Sequence, residues 1–146
     1  MAPEDTIPPR WGPPVTRGTP LPKKLGIKEG SVVAFPSAPP DFTATLGALP
    51  DAVVVKAVAR APLDVIVVFV RREAELRRRI EALGRAIHPD GGLWIAWPKR
   101  ASGVPTDVTE DVVREVGLPL GLVDNKVCAM DETWSGLRLV WRLENR

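Results

Sequence analysis

The feature that most constrains the fold is a strand, a helix and a second strand that follow one another between Asp64 and Pro98. The run from Asp64 to Val70 is continuously apolar and rich in β-branched residues, which is typical of a strand covered on both faces of a parallel sheet. Apolar residues then recur at helical spacing from about Arg71 to Ile87, and residues 93–97 form a second apolar run. Two strands joined by a helix favour parallel pairing, so this stretch predicts an α/β fold.

Further elements are expected on both sides of this stretch. Asp41 is a candidate N-cap for a short helix, and Asp107 with Glu110 resembles the capping box of a later one. The turn at Gly91 and Gly92 is interpreted as using positive φ angles. Two last strands separated by a short connection predict an antiparallel hairpin. The expected flanking strands are residues 31–35, 52–58, 121–130 and 137–143.

The chain is expected to contain one folded domain. Its 146 residues suit a single core, and there is no internal repeat. Residues 1–22 hold seven prolines, at positions 3, 8, 9, 13, 14, 20 and 22, and few aliphatic side chains. Such a segment cannot build a core, which predicts an extended, proline-rich N-terminal arm followed by an α/β domain over residues 23–146.

Composition excludes several classes of site. The single cysteine, Cys128, rules out an internal disulfide, and no pair of cysteines and histidines has the spacing of a zinc site. We expect Cys128 to be a buried, inert thiol. We expect the one histidine, His88, to have no role beyond its place in the turn before Pro89. Without a signal peptide or an apolar run of about 20 residues, the chain is expected to be cytoplasmic and not membrane-bound.

The turn and strand at Ala86-Ile-His-Pro-Asp-Gly-Gly-Leu-Trp-Ile95, together with the order of elements and the closing hairpin, resemble class I S-adenosylmethionine (SAM)-dependent methyltransferases. The resemblance implies a Rossmann-like three-layer sandwich with a mostly parallel sheet and an antiparallel C-terminal hairpin, in a shortened and degenerate form. Other segments resemble a family of small bacterial proteins of unknown function. These segments are residues 22–27, 97–99, 102–107 and 124–136.

Two departures from the methyltransferase pattern affect the segments that bind the cofactor in that family. The family has a glycine-rich loop after its first strand, whereas this chain has Phe35-Pro-Ser-Ala-Pro-Pro40, which lacks glycine and three N–H donors. The family holds the ribose hydroxyls with an acidic residue after its second strand, where this chain offers Lys56 and Arg60. These departures disfavour SAM, and no other cofactor is expected.

Ligands of open α/β sheets bind outside the carboxyl ends of the strands, here residues 36–41, 71–72 and 97–107. The last of these segments supplies one group of candidate ligand-binding residues. The alternative is that Trp97 caps the core, that Lys99 is solvated, and that the others form a loop and a helix cap. The candidates are Trp97, Lys99, Ser102, Thr106 and Asp107.

A second group of candidates lies in the closing hairpin. Strand alternation predicts Asp124, Lys126 and Cys128 on one face, with Asn125 and Val127 on the other. Turn chemistry explains part of this polar cluster but not Asn125-Lys126 inside a strand. The candidates are Asp124, Asn125, Lys126, Asp131, Glu132 and Trp134.

No catalytic constellation is complete, so the main hypothesis is a non-catalytic binding or regulatory module that acts on an unknown small molecule or protein partner. The first alternative is an enzyme, either a divergent methyltransferase or another small transferase. The second alternative is an assembly protein. It would associate through a sheet edge or the N-terminal arm, either with a partner or with a second copy of the chain as a homo-oligomer. Nucleic-acid binding is disfavoured, because glutamates at helical spacing offset the basic run Arg77–Arg79.

Overall fold

The computed structural model describes residues 19–146, in which one six-stranded sheet carries helices on both faces. The strands are β1 (Val32–Ala34), β2 (Val54–Lys56), β3 (Val65–Phe69), β4 (Gly92–Pro98), β5 (Leu122–Ala129) and β6 (Trp134–Trp141). The helices are α1 (Leu21–Lys24), α2 (Phe42–Leu46), α3 (Glu73–Ile87) and α4 (Glu110–Gly117). Short 3₁₀ turns occupy Arg100–Ser102, Leu118–Leu120 and Leu143–Asn145.

The sheet has the strand order β2-β1-β3-β4-β6-β5. The pairs among β1, β2, β3 and β4 are parallel, whereas β6 runs antiparallel to both β4 and β5. This confirms the predicted α/β class, the parallel pairing across α3, and the antiparallel C-terminal hairpin. The carboxyl ends of β1, β3 and β4 therefore lie side by side at the same end of the sheet.

Two apolar layers enclose the sheet. On one face α3 and α4 contribute Leu76, Ile80 and Val113 to a cluster with alternate residues of the central strands. On the other face α1 and α2 cover Trp94, whose Nε1 donates a 3.0 Å hydrogen bond to the backbone oxygen of Leu25. Every residue of β3 and β4 is buried, as predicted for strands covered on both sides. Burying one such aliphatic side chain contributes about 1.5–3 kcal/mol.

The edge strand β2 is much less covered than the central strands. All three of its residues are exposed, with Val54 at 47% and Val55 at 51%. Val58, just beyond the strand, is 59% exposed. The predicted strand at residues 52–58 therefore exists but is short, and it presents an apolar surface at the outer edge of the sheet.

The glycines of the Pro-Asp-Gly-Gly turn have a different role from the predicted one. Neither Gly91 nor Gly92 is among the glycines with positive φ. A Cβ on Gly91 would lie 2.5 Å from the backbone oxygen of Leu63 and 2.9 Å from Ile87. Glycine is needed at position 91 because the backbone packs too closely for any side chain.

Two other local predictions are wrong. Helix α4 begins at Glu110, and its N-cap is Thr109, whose side chain accepts a 3.2 Å hydrogen bond from the backbone N of Val112. Asp107 is therefore not its cap. Strand β6 begins at Trp134 rather than at Leu137. The sequence predicts a loop at Trp134 because the aspartate, threonine and serine around it are turn residues.

Most of the predicted N-terminal arm lies outside the described residues. Of its last four positions, Leu21 and Pro22 already belong to α1. Within residues 19–146, no helix combines the length and the apolar character that a membrane crossing requires.

Candidate functional site

An open cleft of about 510 Å³ lies at the carboxyl ends of β1 and β3. It forms where the loop after β1 faces the first turns of α3, with the start of β6 closing one side. We call it the carboxyl-end cleft. Its lining residues are Ser37, Pro39, Pro40, Phe69, Arg71, Arg72, Glu75 and Trp134.

Aromatic rings form the apolar part of this cleft. Phe69 is the last residue of β3, and its ring meets that of Trp134 edge to face at a centroid distance of 5.0 Å. Phe42 of α2 packs against Phe69 in the same way at 4.8 Å. Both Phe69 and Trp134 are buried, so their orientation is fixed by the core. The cleft thus has a rigid aromatic floor that does not depend on a ligand for its shape.

The loop after β1 is held to α3 by a side-chain contact. Ser37 has a φ of 61°, an uncommon conformation for a residue with a Cβ. Its Oγ accepts a 2.8 Å hydrogen bond from Nη1 of Arg79, which also lies 3.9 Å from a carboxylate oxygen of Glu75. Because the loop contains prolines and this contact, its backbone has few conformations to choose from.

Two arginines stand at the mouth of the cleft. Arg71 and Arg72 are exposed and lie just beyond β3, after Val70. Within residues 19–146, neither forms an ion pair, whereas Arg77 and Arg79 of the same region pair with glutamates. Both guanidinium groups are therefore open to a ligand within the described structure.

The candidate residues of the loop after β4 support this arrangement instead of pointing into the carboxyl-end cleft. The Oγ1 of Thr106 donates a 2.7 Å hydrogen bond to the backbone oxygen of Arg71. Asp107 Oδ1 accepts a 2.7 Å hydrogen bond from the backbone N of Glu73, the first residue of α3. Ser102 bonds within its own turn, to the backbone oxygen of Lys99. A direct ligand contact by these residues stays a prediction.

Trp97 and Lys99 occupy different surroundings. Trp97 is 8% exposed and packs on the α3 and α4 side of the sheet, at the base of a second cleft of about 320 Å³. The Nζ of Lys99 donates to the backbone oxygen of Asp131, which ties the loop to the hairpin turn. Neither residue lines the carboxyl-end cleft.

The hairpin candidates do not share one face. A β-bulge between Asp124 and Lys126 leaves Asn125 as the extra residue. Asp124 therefore turns towards α4, where its carboxylate accepts a 3.0 Å hydrogen bond from Nε of Arg114. Cys128 instead packs on the α1 side. The predicted common face of Asp124, Lys126 and Cys128 is wrong, because one added residue reverses the alternation of a strand.

The remaining candidates belong to the hairpin turn. Asp131 Oδ1 accepts hydrogen bonds of 2.8 Å from the backbone N of Thr133 and of Trp134, which closes the turn. Glu132 is exposed at its tip. Trp134 alone among the eleven candidates lines the carboxyl-end cleft.

Most of the residues that line this cleft are not among the eleven candidates from the sequence. The available signal was position, because residues 36–41 and 71–72 directly follow strands whose carboxyl ends meet. This signal is weaker than that of the hairpin, where polar residues are denser in the sequence. Glu75 gave no such signal, because its spacing to Arg79 already explained it as a helix ion pair.

Cys128 has few features of a reactive thiol. It is buried, and burial raises the pKa of its thiol although Lys24, Lys126 and Lys99 act in the opposite direction. Its Sγ lies 3.2 Å from the backbone oxygen of Ala129. Residues 19–146 contain no group of three or more histidine, cysteine or acidic side chains that could hold a metal ion.

Comparison with solved structures finds the same architecture in methyltransferases. A SAM-dependent methyltransferase from Aquifex aeolicus is 19% identical, with a TM-score of 0.55 over 80% of this chain and 85% of that one. A protein from Sulfolobus solfataricus described as a type 11 methyltransferase is 14% identical, with a TM-score of 0.56 over 84% and 89%. Magnesium protoporphyrin IX methyltransferase from Synechocystis PCC 6803, solved with bound SAH, is 12% identical, with a TM-score of 0.52 over 80% and 75%.

No family model and no curated protein sequence matches the chain. Identities below 20% in the solved structures carry the fold and not the activity. The order of elements that first indicated this architecture is thereby confirmed: the chain has the fold of SAM-dependent methyltransferases.

Proposed function

We propose that the protein is a divergent SAM-dependent methyltransferase that holds the amino-acid end of the cofactor in the carboxyl-end cleft. The observation that carries the proposal is the position of this cleft at the carboxyl ends of β1 and β3, in a sheet of the methyltransferase type. Ligands of open α/β folds bind outside the carboxyl ends of the strands. The solved neighbours favour this function over the non-catalytic module that was the main hypothesis from the sequence.

The residues of the cleft match the charges at that end of SAM. Its carboxylate suits the guanidinium groups of Arg71 and Arg72, which can bind carboxylates in a bidentate way. Its ammonium group suits Glu75. The sulfonium is a cation, and the rings of Phe69 and Trp134 can stabilise a nearby positive charge. When bound, SAM supplies an electrophilic methyl group, and these side chains orient the group that carries it.

In this proposal the ribose end of SAM meets other residues than those of the family pattern. The end of β2 carries exposed Lys56 rather than an acidic residue, and the loop after β1 offers proline and Ser37 instead of glycine. With fewer partners for the ribose hydroxyls, we expect weaker SAM binding than the family pattern would give. The departures that disfavoured SAM in the sequence therefore lower its affinity without removing the cleft.

The test is a titration of the full-length protein with SAM and with S-adenosylhomocysteine, followed by thermal unfolding. A ligand that binds the native state stabilises it by about 2.7 kcal/mol at 100 times its Kd. Arg72→Gln should reduce the rise in Tm, whereas Arg78→Gln, on an exposed part of α3 away from the cleft, should not. An unchanged Tm at millimolar concentrations of both ligands would exclude this function.

A binding module without catalysis makes a different prediction. Such a protein would show the rise in Tm with SAM but no transfer of a labelled methyl group to any acceptor in a cell extract. Labelled product that disappears in Arg72→Gln supports the enzyme instead.

Self-association is a second proposal, and it rests on the exposed edge strand β2. Val54 and Val55 of that strand and Val58 just beyond it are exposed, and exposed sheet edges pair readily with another chain. Size-exclusion chromatography coupled to light scattering should give the mass of a dimer, and Val55→Lys should give a monomer. A wild-type chain that runs as a monomer at all concentrations rules out this proposal.

A further inference from the structure

The second cleft at this end of the sheet, of about 320 Å³, is not used by the proposed methyl transfer. It lies along the loop that leads from β4 to α4, and we call it the β4-loop cleft. Within the described part of the chain, Arg100 is the one charged residue that lines it. The other lining residues include Trp97, Pro98, Val104, Pro105 and Val108.

The indole N–H of Trp97, at the base of this cleft, has no hydrogen-bond acceptor among residues 19–146. The indole N–H groups of Trp94 and Trp141 do have one, since they donate to backbone oxygens at 3.0 and 2.9 Å. Trp97 is 8% exposed, and on its core side it packs in an apolar cluster. A buried indole N–H usually has an acceptor. The core offers none here, so the cleft is the side from which an acceptor can come.

The fourth tryptophan of the described residues supports this interpretation. Trp134 is also 8% exposed, and its indole N–H likewise has no acceptor among residues 19–146. It lines the carboxyl-end cleft, where SAM is proposed to bind. The two tryptophans without an acceptor thus each line one of the two clefts at this end of the sheet.

Arg100 gives the β4-loop cleft a positive charge. It is exposed, and within residues 19–146 its side chain has neither an ion pair nor a hydrogen bond. The next two carboxylates of the chain are engaged elsewhere, because Asp107 accepts from the backbone N of Glu73 and Glu110 pairs with Arg114. The guanidinium of Arg100 is therefore available to an anion from outside the described chain.

The loop that carries these groups is held in shape without a ligand. The Oγ of Ser102 accepts a 3.2 Å hydrogen bond from the backbone N of Val104. The Oγ1 of Thr106 accepts one of 3.0 Å from the backbone N of Val108 and donates one of 2.7 Å to the backbone oxygen of Arg71. A site that is already ordered loses less entropy when a ligand binds.

We propose that the β4-loop cleft binds a small carboxylic acid that has an apolar body and a neutral oxygen at its other end. Arg100 is exposed, so it binds the carboxylate at the rim, where a guanidinium can do so in a bidentate way. Trp97 is buried, so its indole N–H donates to the neutral oxygen at the base, because a charge there would be costly to desolvate. The valines and prolines of the lining contact the apolar body between these two ends.

The β4-loop cleft adjoins the carboxyl-end cleft without sharing a function with it. Thr106 lines the first and Arg71 lines the second, and the hydrogen bond between them forms part of the wall. Binding of the acid does not require SAM. A failure to bind SAM would therefore leave this inference unaffected.

The experiment is a titration of the ¹⁵N-labelled full-length protein with 4-hydroxybenzoate at constant ionic strength, followed by NMR, because salt screens surface charges. The indole N–H signal of Trp97, assigned by its loss in Trp97→Phe, should shift in a saturable way, while those of Trp94 and Trp141 should not. Benzoate lacks the neutral oxygen and 4-hydroxybenzamide lacks the charge, so both should bind more weakly. Equal responses to 4-hydroxybenzoate and acetate would overturn the proposal, since acetate has the charge without the body.

Three arginine variants locate the site by calorimetry. Arg100→Gln should weaken 4-hydroxybenzoate binding about tenfold, the loss expected for one hydrogen bond to a charged group. Arg78→Gln, on an exposed part of α3 that lines neither cleft, is the matched control and should bind as the wild type does. Loss of binding in Arg72→Gln with full binding in Arg100→Gln would overturn the assignment, because the acid would then lie in the carboxyl-end cleft. Arg100 is exposed, so its replacement tests the site even if Trp97→Phe fails to fold.

Discussion

Asp107 caps a helix that begins 34 residues before it in the chain: its Oδ1 lies 2.7 Å from the backbone N of Glu73, the first residue of α3. The residue before that helix, Arg72, provides no side-chain cap of its own. The loop after β4 thus completes the start of α3, and Thr106 adds a hydrogen bond to the oxygen of Arg71. These contacts fix the backbone that presents Arg71 and Arg72 to the carboxyl-end cleft.

The first prediction concerns this cap. Asp107→Ala should lower the free energy of unfolding by about 1 kcal/mol, because one N–H at the start of α3 loses its acceptor and the helix dipole loses a nearby negative charge. Asp107→Asn should recover most of the loss. Asp111→Ala removes an exposed carboxylate of α4 and is the control. Urea unfolding measures all three, and equal stabilities of Asp107→Ala and Asp111→Ala would contradict the role of the cap.

The central part of the fold was predictable because its signal is local and continuous. The apolar run at Asp64–Val70 and the helical spacing after it depend only on neighbouring residues, and the structure has β3 and α3 in those places. The position of the Pro-Asp-Gly-Gly turn is predicted correctly. The predicted reason for glycine at position 91, a positive φ, is wrong. Its close contact with Leu63 is a tertiary contact, which the sequence pattern of a turn does not predict.

The site was less predictable for the same physical reason. Asp107 looked like a cap for α4 because helix caps are usually local, yet its partner lies in α3. The bulge at Asn125 could not be read from alternation, which assumes that each residue of a strand has one partner. Turn chemistry does not explain Asn125-Lys126 inside a strand, whereas the bulge explains Asn125 as its extra residue.

The second prediction follows from the packing of the same turn. Gly91→Ala should lower the free energy of unfolding by about 1–3 kcal/mol, since the new methyl group would overlap the backbone of Leu63 and the side chain of Ile87. Gly92→Ala is the matched control. There the new methyl group meets the flexible end of Arg138, which can move, so its loss should be smaller. The reverse order in urea unfolding would contradict this explanation.

The third prediction concerns the thiol of Cys128 and pH. Burial raises its pKa in the folded protein, so its contribution to stability is complete below the unfolded-state pKa of about 8.5 and is lost as the pH rises through the folded-state pKa. The stability of the wild type relative to Cys128→Ala should therefore be smaller at pH 10 than at pH 7. Urea unfolding at both values measures this difference. A stability difference that is the same at both pH values would argue against a raised pKa.

The fourth prediction tests whether the contact between Arg79 and Ser37 shapes the cleft for a ligand. Nη1 of Arg79 donates a 2.8 Å hydrogen bond to the Oγ of Ser37, a residue of positive φ that lines the same cleft as Arg72. Arg79→Ala should release this loop and raise the Kd for SAM several-fold, the effect of losing a hydrogen bond worth about 0.5–1.5 kcal/mol. Arg78→Ala, its exposed neighbour, should bind SAM as the wild type does, because Arg78 does not line the cleft. Isothermal titration calorimetry gives each Kd directly, and an unchanged Kd in Arg79→Ala would mean that the loop keeps its shape through its prolines alone.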